Sequence, residues 1–378
     1  MKKVITFRQL FYMFLAISIT PILTLLPAEL AVGNSSSACI SVLLSLVALI
    51  PLALLIAVFM QAYPHHNFYE ILIELLGRVV AKVIIACYGI WAFVVLSTKV
   101  WQYTLNLQSS IMSNTREQVF FIAMIILVFY AFMRGIKTIF RFAEFVLVPM
   151  LVILIIYVVS ALPDIRLDYI RVANPLSFSD LCGQSGFVIA AAGNLFLILI
   201  YGDSVKDYSK SRKLIARFFT ATISLFIVLL MVVTIVSFGL VGNNASASMA
   251  TPFYEAMKGI SVMNILEHFE AILIIIMFFS DFLGICLYTS ISIRCIKWVC
   301  SVRKMNFLYI PFAVFIYYLA LVLCRTQFDV EFLYANIIVK WNLIMQYVIP
   351  FVLIIVYYGK RLPNKTTIQT VKVNQDNK

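Results

Sequence analysis

Residues 11–30 read FYMFLAISITPILTLLPAEL, an apolar run long enough to cross a bilayer, with a proline at its middle. About 20 mostly apolar residues span the hydrocarbon as a helix. A proline inside such a helix removes one backbone hydrogen bond and crowds the preceding turn. In lipid the carbonyl so released must face protein or a water-filled cavity. Pro21 has the Thr20 and Thr24 hydroxyls beside it. The run therefore predicts a first transmembrane helix that kinks or opens at Pro21 toward the interior of the molecule.

Working outward, the chain repeats this apolar length nine more times. The expected spans are 8–31, 38–62, 80–105, 118–133, 140–162, 184–202, 213–241, 264–293, 305–324 and 336–358. The composition agrees: 63% hydrophobic and 12% charged residues, with a mean hydropathy of +1.01, leave too little polar surface to coat a soluble globule of 378 residues. The runs are too long for barrel strands, and open sheet edges cannot sit in hydrocarbon. The reading is an all-α membrane protein of ten transmembrane helices, one polytopic domain over residues 1–378. Its longest polar pieces are a 243–263 loop and the tail after Tyr358.

Basic residues orient it. With the N-terminus cytoplasmic, Lys99, Arg116, Arg166, Arg171, Lys258, Arg325 and Lys340 fall outside, and the other 22 of the 29 lysines and arginines fall inside. That asymmetry puts both termini in the cytoplasm. It also accounts for the net charge of +12 through contact with anionic lipid, with no nucleic acid required. The first run is longer than a signal-peptide core and lacks a small-residue cleavage site, so it reads as a retained span. Lys99 is expected to snorkel near the outer face, and Trp101 and Tyr103 fit an interfacial aromatic belt. The seven cysteines show no metal-ligand or redox spacing, and His65 and His66 read as a solvated loop. No metal or cofactor is expected, and no catalytic motif is visible, so the chain does not read as an enzyme. Two glycosylation-type triplets, at Asn34 and Asn244, carry no weight.

A second irregularity falls five spans after the first. In the sixth span, Ala190-Ala191-Ala192-Gly193-Asn194 interrupts an apolar helix with small residues and an amide. Small residues there can instead serve close helix packing. Interrupted helices at matching positions of two five-helix halves, however, point to an inverted-repeat transporter with its ligand site at the midplane. The expected ligand-binding residues are Thr20, Pro21, Ile22 and Thr24 from the first break and Gly193, Asn194 and Leu195 from the second.

Three segments carry a family likeness. Residues 20–27 (TPILTLLP) are similar to the opening of spore germination permeases. Arg134-Gly135-Ile136-Lys137, with Arg141-Phe142-Ala143-Glu144 and Pro149, resembles their loop into the fifth helix. The run from Pro252-Phe253-Tyr254-Glu255-Ala256 to Leu266-Glu267-His268-Phe269-Glu270 looks like their approach to the eighth. The chain thus resembles the B subunit of a nutrient germinant receptor, within the amino acid–polyamine–organocation superfamily. The resemblance implies a LeuT-like 5+5 inverted repeat with broken helices 1 and 6, the inner membrane of a spore, and A and C partner subunits. Four positions depart from the family pattern. Pro21 and Ile22 stand where the family usually has glycine, Leu195 where some relatives carry Glu, and His268 where Arg is common.

Asp281 is the carboxylate well inside the eighth span, flanked by aromatic residues, and a charge there is costly unless paired, neutralised or hydrated. In a LeuT-like arrangement helix eight packs near the first break, so Ser280 and Asp281 are the candidates for taking a cation or proton; a neutral or cytoplasmically hydrated carboxyl is the plainer alternative. Helix three commonly lines the site in this fold, which adds Tyr103 to the ligand candidates. Taken together, the residues and the resemblance predict a nutrient-sensing, transporter-like subunit that binds a small nutrient, a neutral amino acid by the apolar character of Ile22 and Leu195, and triggers germination through its partners. The alternatives are an H⁺- or Na⁺-coupled amino acid transporter and a structural membrane subunit with a vestigial pocket.

Overall fold

The structure, a computed structural model, describes residues 5–32, 38–110, 114–169, 177–206, 212–258, 270–301 and 309–360. The Asn34 triplet, residues 259–269 with His268, and the tail beyond 360 lie outside these.

The chain is helical where described. Thr6 opens α1 (Phe7–Leu23) with a reciprocal cap, its hydroxyl accepting from the Gln9 N–H and its own N–H donating to the Gln9 side chain. The first span then bends by 47° into α2 (Leu25–Ala31). The bend is not at Pro21, which stays inside α1. It gathers at Thr24, whose backbone leaves the helical region (φ −114°, ψ −90°). Thr24 donates both its N–H (3.0 Å) and its hydroxyl (2.8 Å) to the Thr20 carbonyl. Back-bonding of this kind bends helices, and it comes one turn after the proline has already loosened the ladder.

The second span, 38–62, follows as α3 (Ala38–Leu44) and α4 (Leu46–Ala62). After α5 (Phe68–Leu76) comes α6 (Arg78–Ser110), 33 residues and so about 50 Å long at 1.5 Å per residue. It is the mast of the bundle, packed on α5, α7 (Glu117–Arg134), α13 (Glu270–Cys300) and α14 (Tyr309–Leu323). This corrects the reading of three residues. Lys99 lies well inside the helix and opens onto an internal cavity instead of snorkelling outward. Trp101 and Tyr103 are buried and form no belt. The span expected to end at residue 105 continues to Ser110, which draws all three inward.

Gly135, between α7 and α8 (Ile136–Ala161), has φ +91°, a conformation that glycine alone adopts freely. The sixth span does not unwind as expected. It runs as α9 (Phe178–Ala192) and tightens into a 3₁₀ helix over Gly193–Ser204, so the irregularity at Gly193 is a change of winding within one continuous span. After α10 (Arg212–Val241), the stretch read as a polar loop forms α11 (Asn243–Ser248) and α12 (Pro252–Lys258) where it is described; α11 packs on α2 and α10. The last span, Gln327–Lys360, starts as α15 (Gln327–Leu333) and widens into π turns at Tyr334–Ile338 and Ile344–Val348, on either side of α16 (Val339–Leu343).

Among the described residues eight helices are long and apolar enough to cross a membrane, nine when α1 and α2 count as one span. The segment expected at 305–324 is the shorter apolar α14. Large apolar side chains on the outer faces, such as Phe145 (76% exposed) and Ile310 (78%), suit a surface whose solvent is lipid. At the end of the bundle that carries the N-terminus, Ile5 exchanges backbone bonds with Ser204 and Lys206 (3.0 and 2.9 Å). Nearby, Asp203 pairs with Arg294 at 3.3 Å, and Arg8 pairs with Glu144.

Candidate functional site

Five spans converge on a cavity of about 30 Å³ in the middle of the bundle. The first span brings Thr20, Pro21 and Thr24, α6 brings Thr98, Lys99 and Gln102, and the sixth brings Asn194. From α13 come Asp281 and Tyr288, and the last span adds Tyr334 and Asn342. Pockets that hold drug-sized ligands enclose about 300–1,000 Å³. This one admits water-sized groups, so a larger ligand requires its walls to part.

The break in the first span is tied directly to α13. The Thr20 N–H donates to the Ser280 hydroxyl at 3.0 Å, and the Thr20 hydroxyl donates to the Met277 carbonyl at 3.2 Å. That hydroxyl also faces the Asp281 carboxylate. Ser280→Ala removes a buried acceptor, and hydrogen bonds of this kind contribute about 1 kcal/mol. The purified variant is therefore expected to melt at a lower temperature than the parent; an unchanged melting temperature counts against the tie.

Winding sets the other wall. The turn from α to 3₁₀ at Gly193 aims the Asn194 side chain at α13 and the last span, where its carbonyl oxygen accepts from the Tyr288 hydroxyl (2.7 Å) and from Gln346 Nε2 (2.8 Å). One turn earlier in the last span, within α16, Asn342 accepts from Trp91 Nε1 at 2.8 Å and donates to the Ala190 carbonyl at 3.3 Å. Tyr347 donates to the Ile189 carbonyl at 2.8 Å. Gly193 sits in the closest approach of these walls: a Cβ there would lie 2.1 Å from Gln346 Oε1 and 2.7 Å from the Tyr347 ring. Glycine is required here for space, and φ plays no part.

Of the residues expected from sequence, Thr20, Pro21, Thr24, Asn194 and Asp281 line the cavity. Ser280 stands behind it as the acceptor for Thr20, and Gly193 behind it as the packing point. Ile22 and Leu195 are buried in the surrounding core. Tyr103 packs against Phe278 at 5.9 Å between ring centres and does not reach the lining. Of the polar lining, sequence reasoning missed Thr98, Lys99, Gln102, Tyr288, Tyr334 and Asn342. Among the described residues no cluster of His, Cys, Asp or Glu could hold a metal.

Comparison with known proteins bears on this geometry. A family model described as spore germination protein matches residues 4–328, in agreement with the resemblance read from the three segments. Among solved structures the fold is similar to that of MHP1, a nucleobase-cation-symport-1 family transporter, in a closed conformation with bromovinylhydantoin bound. The TM-score is 0.61 at 14% identity, with 89% of this chain and 74% of that chain covered. At that identity the likeness is one of fold. No curated protein matches significantly.

Proposed function

This chain belongs to the family of spore germination proteins, and from that premise we propose that it is the nutrient-sensing subunit of a germinant receptor, a transporter fold used to register a ligand. The observation that carries this is the meeting of the Thr24 bend and the Gly193–Asn194 change of winding, five expected spans apart, on one central cavity. Irregular backbone at membrane depth that lines a cavity is the signature of a transporter ligand site. The reading extends to ten crossings in a 5+5 inverted repeat, with α14 as the short ninth span. It also places both termini in the cytoplasm, the chain in the spore inner membrane, and A and C subunits as partners.

The ligand is a small nutrient, a neutral amino acid, bound among Thr20, Pro21, Thr24 and Asn194, with Ile22, Gly193, Leu195 and Tyr103 behind them. Ser280 and Asp281 form the position that takes a cation or proton. Because the cavity is too small for such a ligand as it stands, binding selects a more open arrangement. A ligand shifts that balance only by preferring one state over the other.

The test is reconstitution. The purified chain in liposomes is expected to bind its nutrient without accumulating it under an imposed proton or sodium gradient, and spores lacking the A or C partner are expected not to germinate through this chain. Gradient-driven accumulation by the isolated chain would replace the receptor reading with that of a coupled amino acid transporter.

A further inference from the structure

Lys99 and Asp281 are the charged side chains in the lining of the cavity, one from α6 and one from α13. They face one another electrostatically, yet among the described residues they do not close into an ion pair. The Lys99 stem lies along α13 beside Gly284, where an added Cβ would sit 3.9 Å from its Nζ. Asp281, one turn earlier on that helix, has the Thr20 hydroxyl for company.

Two of the neutral polar groups around them are already engaged. The Asn194 carbonyl oxygen serves Tyr288 and Gln346, and Asn342 is held by Trp91 and the Ala190 carbonyl. The charged groups that face a ligand are therefore one ammonium and one carboxylate, with the Gln102 amide and the Tyr334 hydroxyl beside them in the lining. Leaving opposite charges unjoined in a membrane interior is costly, and so is stranding either one. A singly charged ligand satisfies one and strands the other. An uncharged ligand satisfies neither.

Resting on the ligand site argued above, we propose that Lys99 and Asp281 form a split charge clamp that selects zwitterions. The ligand ammonium seats on Asp281 and the Thr20 hydroxyl, and its carboxylate seats on Lys99. The cation that Ser280 and Asp281 are placed to take is then the ligand's own ammonium. Lys99, absent from the set read from sequence, is the residue that sets specificity for the anionic end. Once the walls have parted, the bound ligand bridges α6 and α13, which couples occupancy to the packing of these two adjacent spans.

The test uses the purified full chain in nanodiscs and thermal stabilisation by the protein L-amino acids, one at a time. Each binder is then compared with its decarboxylated amine and its deaminated acid. At least one amino acid is expected to bind, and both analogues are expected to bind at least about tenfold more weakly. Lys99→Gln is expected to weaken binding at least about tenfold, and Lys99→Arg to retain most of it. Because Lys99→Gln strands Asp281, the neutral double variant Lys99→Gln/Asp281→Asn serves as the control. It is expected to fold as stably as the parent and not to bind.

Parent-like binding of an amine, an acid or an uncharged nutrient overturns the clamp, as does unchanged affinity in Lys99→Gln or the absence of any amino acid that binds. The parent reading is separable. If Gly193→Val weakens binding while Lys99→Gln does not, the site stands and the clamp falls. If neither variant affects binding, the site itself is wrong.

Discussion

Asp281→Asn is expected to lower the amount of the chain in the membrane and, in the protein that remains, to raise the nutrient concentration needed for response by a hundredfold or more. The substitution keeps shape and hydrogen-bonding capacity but leaves the Lys99 ammonium facing the cavity without a counter-charge. Removing one partner from a buried pair of charges costs about 3–5 kcal/mol, and a hundredfold change in affinity corresponds to about 2.7 kcal/mol. Adding Lys99→Gln removes the stranded charge, so the double variant is expected to recover its membrane level and still fail to respond. Immunoblots of spore membranes and germination dose–response curves measure the two effects separately. A single variant with parent-like level and response would mean that Asp281 is a neutral, uninvolved acid.

Gly193→Val is the second large expectation, and its cause is steric. The first carbon added would already stand 2.1 Å from Gln346 Oε1 and 2.7 Å from the Tyr347 ring. Gln346 can swing away only by giving up its bond to Asn194, and the Tyr347 ring is held by its hydroxyl on the Ile189 carbonyl. Overpacking of this kind costs about 1–3 kcal/mol, which corresponds to a five- to hundredfold rise in the nutrient concentration for half-maximal response. The chain should still insert, since the apolar spans are untouched. A normal dose–response at normal protein level would remove Gly193 from the account.

The sequence made some of this visible because the chemistry is local. A proline between two threonines in an apolar run marks a loosened backbone wherever the helix ends up, and both Thr20 and Thr24 line the cavity. The glycine and amide in the sixth span are visible for the same reason, although the outcome there is a tightened helix instead of an opened one. Lys99 was misread because its depth depends on where α6 stops, and no glycine or proline marks Ser110 as that point. The π turn at Tyr334–Ile338 carries no such mark either, whereas Pro350 stands just past the one at Ile344–Val348.

A usable signal for that wall did exist. Asn342 and Gln346 are amides four residues apart in an apolar run, hence on one face of a helix, and polar groups at that depth generally face the interior. Tyr288 could be found only from the fold, since a tyrosine in a span serves the interior and the interface equally well.

The central claim is that a nutrient acts by entering this cavity, and the most direct measurement is position-specific protection. Thr98, in the cavity wall beside Lys99, is replaced by cysteine in the full chain. Its rate of modification by a small thiol reagent is then read peptide by peptide in the mass spectrometer, which separates it from the seven native cysteines. The account predicts that a nutrient which triggers germination through this chain slows labelling at position 98, in proportion to its occupancy, and that Gly193→Val shifts the protection to higher nutrient concentration. Labelling at position 98 that is indifferent to saturating nutrient, in a chain that still supports germination, would contradict it.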